Sequence, residues 1–263
     1  MEGMVRERLL AWRKFNGGNL PEYMLFYRDG ISESQFKRCR QAEITAIKKA
    51  YLSCAKNAQS PPQLKLTFIV VGKRHNTRFY PQDKGAIVVP RKNPNDTRNT
   101  NLKPGLYVAN TITDPGHFNF YLQSHNAIQG TARSAHYHVL EHELPLKNEQ
   151  LATVTHAMCY CFGRATKGVS YAAPAYIADR LCERGRVYLR SWDPSHSDFE
   201  SFHTAQRAPG TPCKGAAEIL QWKQTKALEL SRNRQHGIWG HYDEATGRYN
   251  PWHPDIDDIM FWM

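Results

Sequence analysis

The stretch Glu22-Tyr-Met-Leu-Phe-Tyr-Arg-Asp-Gly30 does most to constrain what this chain can fold into. Tyr23 to Tyr27 is a continuous apolar run, the pattern of a strand covered on both faces. It ends in Asp29 and a turn. A helix then opens at Ser32, with Gln35 at the capping-box position. That helix is expected to run to about Lys56 and to carry Phe36, Ile44, Ile47 and Leu52 on its apolar positions. Leu64 to Val71 (LKLTFIVV) is a second buried strand. Strand, helix and strand in this order predict a right-handed βαβ unit with a parallel pair, so the fold class is α/β. Open α/β sheets place their chemistry at the carboxyl ends of strands, and Asp29 stands at such an end.

The remaining pattern fills in around this unit. Val5 to Phe15 reads as an amphipathic helix with Val5, Leu9, Leu10 and Trp12 apolar, stopped by Gly17-Gly18. Arg91 to Pro104 is polar and reads as a loop. Leu106 to Ile112, Phe118 to Leu122 and Ala135 to Leu140 predict shorter strands, and Glu149 to Phe162 predicts a helix. Pro174 suits the first turn of a further helix that reaches about Leu189. Residues 191–215 suggest a flexible loop, Ala216 to Ser231 a helix, and His236 to Pro254 irregular chain.

The formal net charge of +11 favours a polyanionic partner, nucleic acid first and an anionic membrane second. The six cysteines show no CxxC pair and fit free thiols in a reducing compartment. The N-terminus lacks the apolar run of a signal peptide, and no apolar stretch is long enough to span a bilayer. The expectation is an intracellular soluble protein.

Several segments carry candidate chemistry. Asp29 either caps a turn, with Gly30 relaxed beside it, or offers its carboxylate to Mg²⁺, a cation that prefers hard oxygen ligands. Lys73-Arg-His-Asn-Thr-Arg78 follows the second strand directly and suits phosphate contacts at the same sheet edge. Ser124 to His138 concentrates small, polar and basic groups. His136 and His138 share a strand face there and read as a hydrogen-bonded structural pair in preference to a zinc site. Arg164, Lys167, Arg180, Arg184, Arg186 and Arg190 form either a solvated basic face or a grip on an anionic backbone. Asp179 points away from the Ile177, Leu181 and Gly185 stripe and reads as a solvated helical acid.

Five of these segments together resemble the PIWI domain of eukaryotic Argonaute proteins, with a fungal cast. They are LFYRDGISESQF (Leu25–Phe36), TFIVVGKRHNTRFY (Thr67–Tyr80), FYLQSHNAIQGTARSAHYHVL (Phe120–Leu140), APAYIADRLCERGRVYL (Ala173–Leu189) and HPDIDDIMFWM (His253–Met263). The resemblance implies an RNase H-like PIWI fold, incomplete at its N-terminal strands. Residues 1–200 would be its C-terminal portion, 201–252 a flexible insertion and 253–263 the tail. Leu25–Tyr27 and Phe68–Val71 would then present an uncovered edge.

The same resemblance implies small-RNA-guided gene silencing in the cytoplasm or nucleus, with guide RNA and target RNA as partners. In that family four acidic or histidine residues hold two Mg²⁺ or Mn²⁺ ions for endoribonuclease cleavage. Asp29 matches the third and Asp179 the fourth, while the first Asp and the mobile Glu have no match in this sequence. The chain alone is therefore expected to bind RNA without slicing it. Alternatives are a Mg²⁺-dependent slicer within a longer Argonaute, or an interaction module for Trp-rich silencing partners. By motif match, Lys73, Arg74, Asn76, Arg78, Gln129, Thr131, Arg133, Arg164, Thr166, Ser170 and Tyr176 would approach the guide backbone, and Arg184 its 5′-phosphate. Asn76 stands where relatives often carry His.

Overall fold

The computed structural model describes residues 1–55, 63–88, 101–127 and 130–188. Met1–Ala178 forms one compact unit, and a second unit begins at Asp179. In chain order the elements are α1 (Glu2–Phe15), β1 (Tyr23–Asp29), α2 (Phe36–Cys39), α3 (Thr45–Ala55), β2 (Lys65–Gly72), β3 (Leu106–Val108), β4 (Asn119–Gln123), β5 (Ala135–His142), α4 (Asn148–Met158) and α5 (Ala173–Tyr188). The five strands make one sheet in the order β1-β2-β5-β4-β3. β1 and β2 are parallel, with Asp29 opposite Val71, and every other pair is antiparallel.

Side-chain alternation along the strands feeds two cores. Leu66, Phe68 and Val70 pack with Val5, Leu9, Ile44, Ile47 and Tyr51, so α1, α2 and α3 cover one face. Ile69, Val71, Phe120, Leu122 and Tyr137 pack with Leu151, Tyr171 and Ala175, so α4 and the chain that follows it cover the other. A bulge between β2 and β5 shifts the register after Leu140. It brings Glu141 to the helical side, where it pairs with Arg40 at 2.9 Å.

Several expectations change in the structure. The helix predicted from Ser32 to Lys56 is composite: a 3₁₀ turn at Glu33–Gln35, α2, a π turn at Arg40–Ile44, then α3. Core positions explain the π turn. Cys39 and Ile44 are both buried although five residues apart, and one π turn brings that spacing onto a single face. The capping box at Ser32 does not form. Gln35 donates its backbone N–H to the Ser32 carbonyl at 2.9 Å, because a 3₁₀ start satisfies these donors by itself. Further along, α4 ends at Met158 rather than Phe162, where Cys159 and Tyr160 switch to i→i−3 bonds. β3 stops at Val108, ahead of Thr111 with its φ of 71°.

The edge expectation is half corrected. β1 is the outer strand, and among its residues only Tyr27 is buried. Phe68–Val71, by contrast, lies in β2 between β1 and β5 and is fully buried. The parallel pairing puts β1 outboard, and the continuous apolar run that suggested two covered faces is half exposed for that reason.

α1 ends as expected. Gly17 and Gly18 take φ of 60° and 83°, and Gly18 donates to the Arg13 carbonyl at 2.9 Å. On α5, Leu181 of the expected apolar stripe is exposed and Asp179 is half-buried. Cys39, Cys54, Cys159, Cys161 and Cys182 are free thiols. Cys213, the 201–252 insertion and the 253–263 tail lie outside the described residues. Among the described residues no helix is long and apolar enough to cross a membrane.

Candidate nucleic-acid interface

Asp29 ends β1 opposite Val71, and β2 leaves the sheet two residues further on, at Lys73. At this same end β4 runs out into Ser124 and His125, and Ser134 leads into β5, since Leu122 pairs with Ala135 and Gly72 with His136. Three connections therefore leave the sheet at the end that carries Asp29.

A buried hydrogen-bond hub ties them. Gln123 is 1% exposed, and its amide nitrogen donates to the His125 carbonyl at 2.6 Å. Its Oε1 accepts from Ser134 Oγ at 2.8 Å. The Ser134 carbonyl accepts from His75 Nε2 at 2.8 Å, which places the proton of the neutral ring on Nε2. Asn101 clasps the next stretch: its amide donates to the Gly130 carbonyl at 2.8 Å, and its Oδ1 accepts from the Ala132 N–H at 2.7 Å. On the far side Ser124 Oγ donates to the Val169 carbonyl at 2.6 Å. Gly168 passes so close that a Cβ there would lie 2.4 Å from the Ser124 carbonyl oxygen.

Cations crown this hub. Lys73 Nζ lies 5.5 Å from the centre of the Tyr171 ring, and Arg133 donates to the Lys73 carbonyl at 3.4 Å. Burial, and then the Arg133 charge, push the Lys73 amine down to about 8. Burial and the Lys73 charge push His125 down to about 4. Among the described residues no carboxylate forms an ion pair with Lys73, Arg74, Arg78 or Arg133. Positive charge, half-buried at Lys73 and Arg78 and without a counter-ion among the described residues, is a ready anion site.

The other expected residues are distributed as follows. Arg74 and Asn76 are exposed, whereas Arg78 is half-buried and donates to the carbonyls of His75 and Thr77 at 3.0 and 2.8 Å. Arg78 thus braces the Lys73–Tyr80 segment from within. Thr131 and Arg133 are exposed on the connection into β5. Arg164 and Thr166 are exposed and Ser170 is half-buried between α4 and α5. Tyr176 packs on Phe162 and Tyr171, with ring centres 4.6 and 5.0 Å apart. Arg184 is exposed on the part of α5 that belongs to the second unit, which also carries Asp179. Gln129 lies outside the described residues.

The histidine pair is a packing element. His136 stacks on Tyr121 at 3.9 Å, meets His138 at 3.8 Å and bonds Asn119 Oδ1 through Nε2 at 2.8 Å. Burial holds His136 down at about 3. Among the described residues no three of His, Cys, Asp and Glu gather as a metal-holding group.

Asp29 is exposed, and its Oδ1 accepts the Gly30 N–H at 2.9 Å. Its donor chemistry fits a hard divalent cation as one ligand.

A family profile for the Piwi domain matches residues 1–190. The chain belongs to the Piwi family. This Piwi chain is 41% identical over 189 residues to Protein argonaute 5 of Arabidopsis thaliana, covering 72% of itself and 18% of that protein. It is 40% identical over 223 residues to Protein argonaute 11 of Oryza sativa subsp. japonica, covering 83% of itself and 24% of that protein. The chain therefore spans less than a quarter of the length of these relatives. Its fold is similar to the C-terminal lobe of a budding yeast Argonaute, with a TM-score of 0.65, 28% identity, and 80% and 40% of the two chains covered. It is likewise similar to Kluyveromyces polysporus Argonaute with a guide RNA, with a TM-score of 0.64, 30% identity, and 72% and 22% covered. These neighbours show the Piwi sheet to be RNase H-like.

Sequence reasoning marked the segment that holds His125 and Ser134 without singling them out, and missed Gln123, Asn101, Gly168 and Tyr171 as parts of this site. A signal existed for Gln123: it is a polar side chain closing the otherwise apolar run Phe120-Tyr-Leu122.

Proposed function

We propose that this Piwi domain binds single-stranded RNA in small-RNA-guided silencing, holding the phosphate backbone of a guide and its target at the Lys73, His125 and Arg133 end of the sheet. The observation that carries this reading is positive charge, partly desolvated at Lys73, without a carboxylate partner among the described residues. A phosphate there would restore the Lys73 charge that burial and Arg133 oppose, and Tyr171 gives the amine a fixed platform. Arg74, Asn76, Thr131, Arg164 and Thr166, all exposed, extend the same polar surface within their own unit. The structure of a relative with a guide RNA supports the choice of RNA, while the fungal affinity rests on the motif resemblance, the sequence relatives named above being plant Argonautes.

Cleavage is a finer proposal. Mg²⁺ or Mn²⁺, when bound, would activate water and stabilise the leaving oxygen at a phosphodiester. Asp29 would be one ligand, and Asp179, which belongs to the second unit, is a candidate by motif match alone. The resemblance implies two further acids for cleavage, so RNA binding is the reading tested first.

A labelled single-stranded RNA titrated over a salt series tests the binding reading. Changing Lys73→Ala and Arg133→Ala together should weaken binding at every salt concentration. The slope of log K against log salt should become shallower by about 0.7 for each phosphate that is no longer neutralised. Unchanged affinity and slope in the double variant would overturn it.

A further inference from the structure

Arg28 and Glu43 take no part in the basic hub, yet they are joined at the base of the Asp29 turn. Arg28 shares the strand face of Phe26, beneath the composite helix. Its guanidinium meets Glu43 Oε1 through Nε at 3.4 Å and through a terminal nitrogen at 3.3 Å. The other terminal nitrogen donates to two backbone carbonyls, those of Asp29 and of Gly30, the latter at 3.1 Å. One planar fork thus links a helical acid to both peptides of the turn, a geometry that lysine cannot reproduce.

Glu43 belongs to the π turn at Arg40–Ile44. Without the inserted residue, the helix downstream would be rotated by about 100°. The π turn therefore lets Ile44 and Ile47 stay in the core while Glu43 lies over β1. The Glu43 side chain is 19% exposed, so its carboxylate depends on the Arg28 charge. It also lies near the buried Cys39 thiol, which burial and the Glu43 charge push up to about 11. From the opposite side, Gly30 sits against β2, where a Cβ would lie 3.2 Å from the Val71 carbonyl oxygen. Within the turn, the Gly30 N–H holds Asp29 Oδ1.

We propose that Arg28 and Glu43 are positioning residues: the pair locks the Asp29–Gly30 turn against the end of β2 and so sets the direction in which the Asp29 carboxylate is presented. This inference rests on the reading of Asp29 as a divalent-ion ligand. The π turn is the part of the fold that makes the lock, and Arg28 and Glu43 act on Asp29 through the backbone of its turn.

Amide hydrogen exchange of the full chain, followed residue by residue, tests the lock without using RNA. Arg28→Ala and Glu43→Ala should speed exchange at Gly30 by about tenfold or more, as expected for losing one charged hydrogen bond, while Ile69 and Val70 keep their protection. Glu43→Gln and Arg28→Lys, which disturb folding least, should give the same direction with a smaller change. The exchanged pair Arg28→Glu with Glu43→Arg should recover thermal stability but leave Gly30 fast, because a glutamate cannot donate to the two carbonyls. Unchanged Gly30 exchange in Glu43→Gln and Arg28→Lys would overturn the proposal. Recovery of Gly30 protection in the exchanged pair would also overturn it, reducing the lock to an ordinary ion pair. Mn²⁺ added to the same samples should broaden the Gly30 amide in the unmodified chain more than in Arg28→Ala. Absence of broadening in both would overturn the metal reading of Asp29, while the lock is judged by exchange alone.

Discussion

Lys73 and Asp29 follow neighbouring parallel strands at one end of the sheet and are held in opposite ways. Lys73 is half-buried and fixed by long-range partners: Arg133, sixty positions along the chain, and the ring of Tyr171. Its charge is disfavoured by its surroundings. Asp29 is exposed, its side chain bonded among the described residues to the next residue alone, and it is held through its backbone by Arg28. The first arrangement stores unfavourable electrostatics that an anion relieves. The second leaves the side chain hydrated and fixes only its direction. A binding site for a polyanion needs uncompensated charge, whereas a metal ligand needs an available oxygen at a set angle.

Four changes sharpen this contrast, the largest first. Gly168→Ala forces a Cβ to within 2.4 Å of the Ser124 carbonyl and 2.9 Å of the Tyr160 ring. It should cost about 2–3 kcal/mol in a denaturant titration and weaken RNA binding, because the Ser124–Val169 clasp must open. The Gly30 turn should be untouched; faster exchange at Gly30 would mean that the two regions are one cooperative unit. Asn101→Ala should cost about 1–2 kcal/mol and raise amide exchange at Thr131 to Arg133, since it strips partners from the Gly130 carbonyl and the Ala132 N–H.

The third test is pH. Lys73 titrates near 8 when folded, against an ordinary lysine value of 10.5. Between these values the unfolded chain binds the extra proton, so the Lys73 contribution to stability rises as pH climbs from about 8 to about 10.5. RNA affinity should move the other way over the same range, because the neutral amine no longer attracts phosphate. Lys73→Arg should abolish that fall. A fall of equal size in the arginine variant would assign it to another group. The smallest effect is expected at Asp29→Asn: a stability change within about 0.5 kcal/mol, as for other exposed positions, and RNA affinity undiminished. A clear loss of RNA affinity would place Asp29 inside the binding surface.

At the low-pH end the packed histidines act together. His125 and His136, held down at about 4 and 3 by burial, must be protonated in water when the chain unfolds. The unfolded chain therefore binds more protons below about 6.5, and their contribution to stability is lost as pH falls through 4 and then 3.

Much of this was legible in the residues. The apolar runs at Tyr23–Tyr27 and Leu64–Val71 located β1 and β2, and the motif they bracket pointed to the right sheet end. Gly17-Gly18 marked the end of α1 for a local reason, its positive φ angles. Other features escaped because their causes are not local. The i, i+5 spacing of Cys39 and Ile44 makes sense only once both face Phe68 and Val70, and a reading at helical period has no reason to insert a π turn there. The half-exposed state of β1 follows from its place at the sheet edge, which an apolar run does not reveal. Asn101 carries no signal as a clasp for Gly130, because the pairing depends on how two loops cross.

The sequence by itself determined which stretches become strands, where Asp29 ends its strand, and that the chain carries a strong excess of positive charge. These depend on side-chain character and local backbone preference, which act over a few residues. Only the tertiary structure decided that Lys73, His125 and Arg133 meet at one corner, desolvated at Lys73 and His125, and that Arg28 reaches Glu43 in the π turn. Burial and Coulomb energy depend on distance through space, and that distance is set when the sheet assembles.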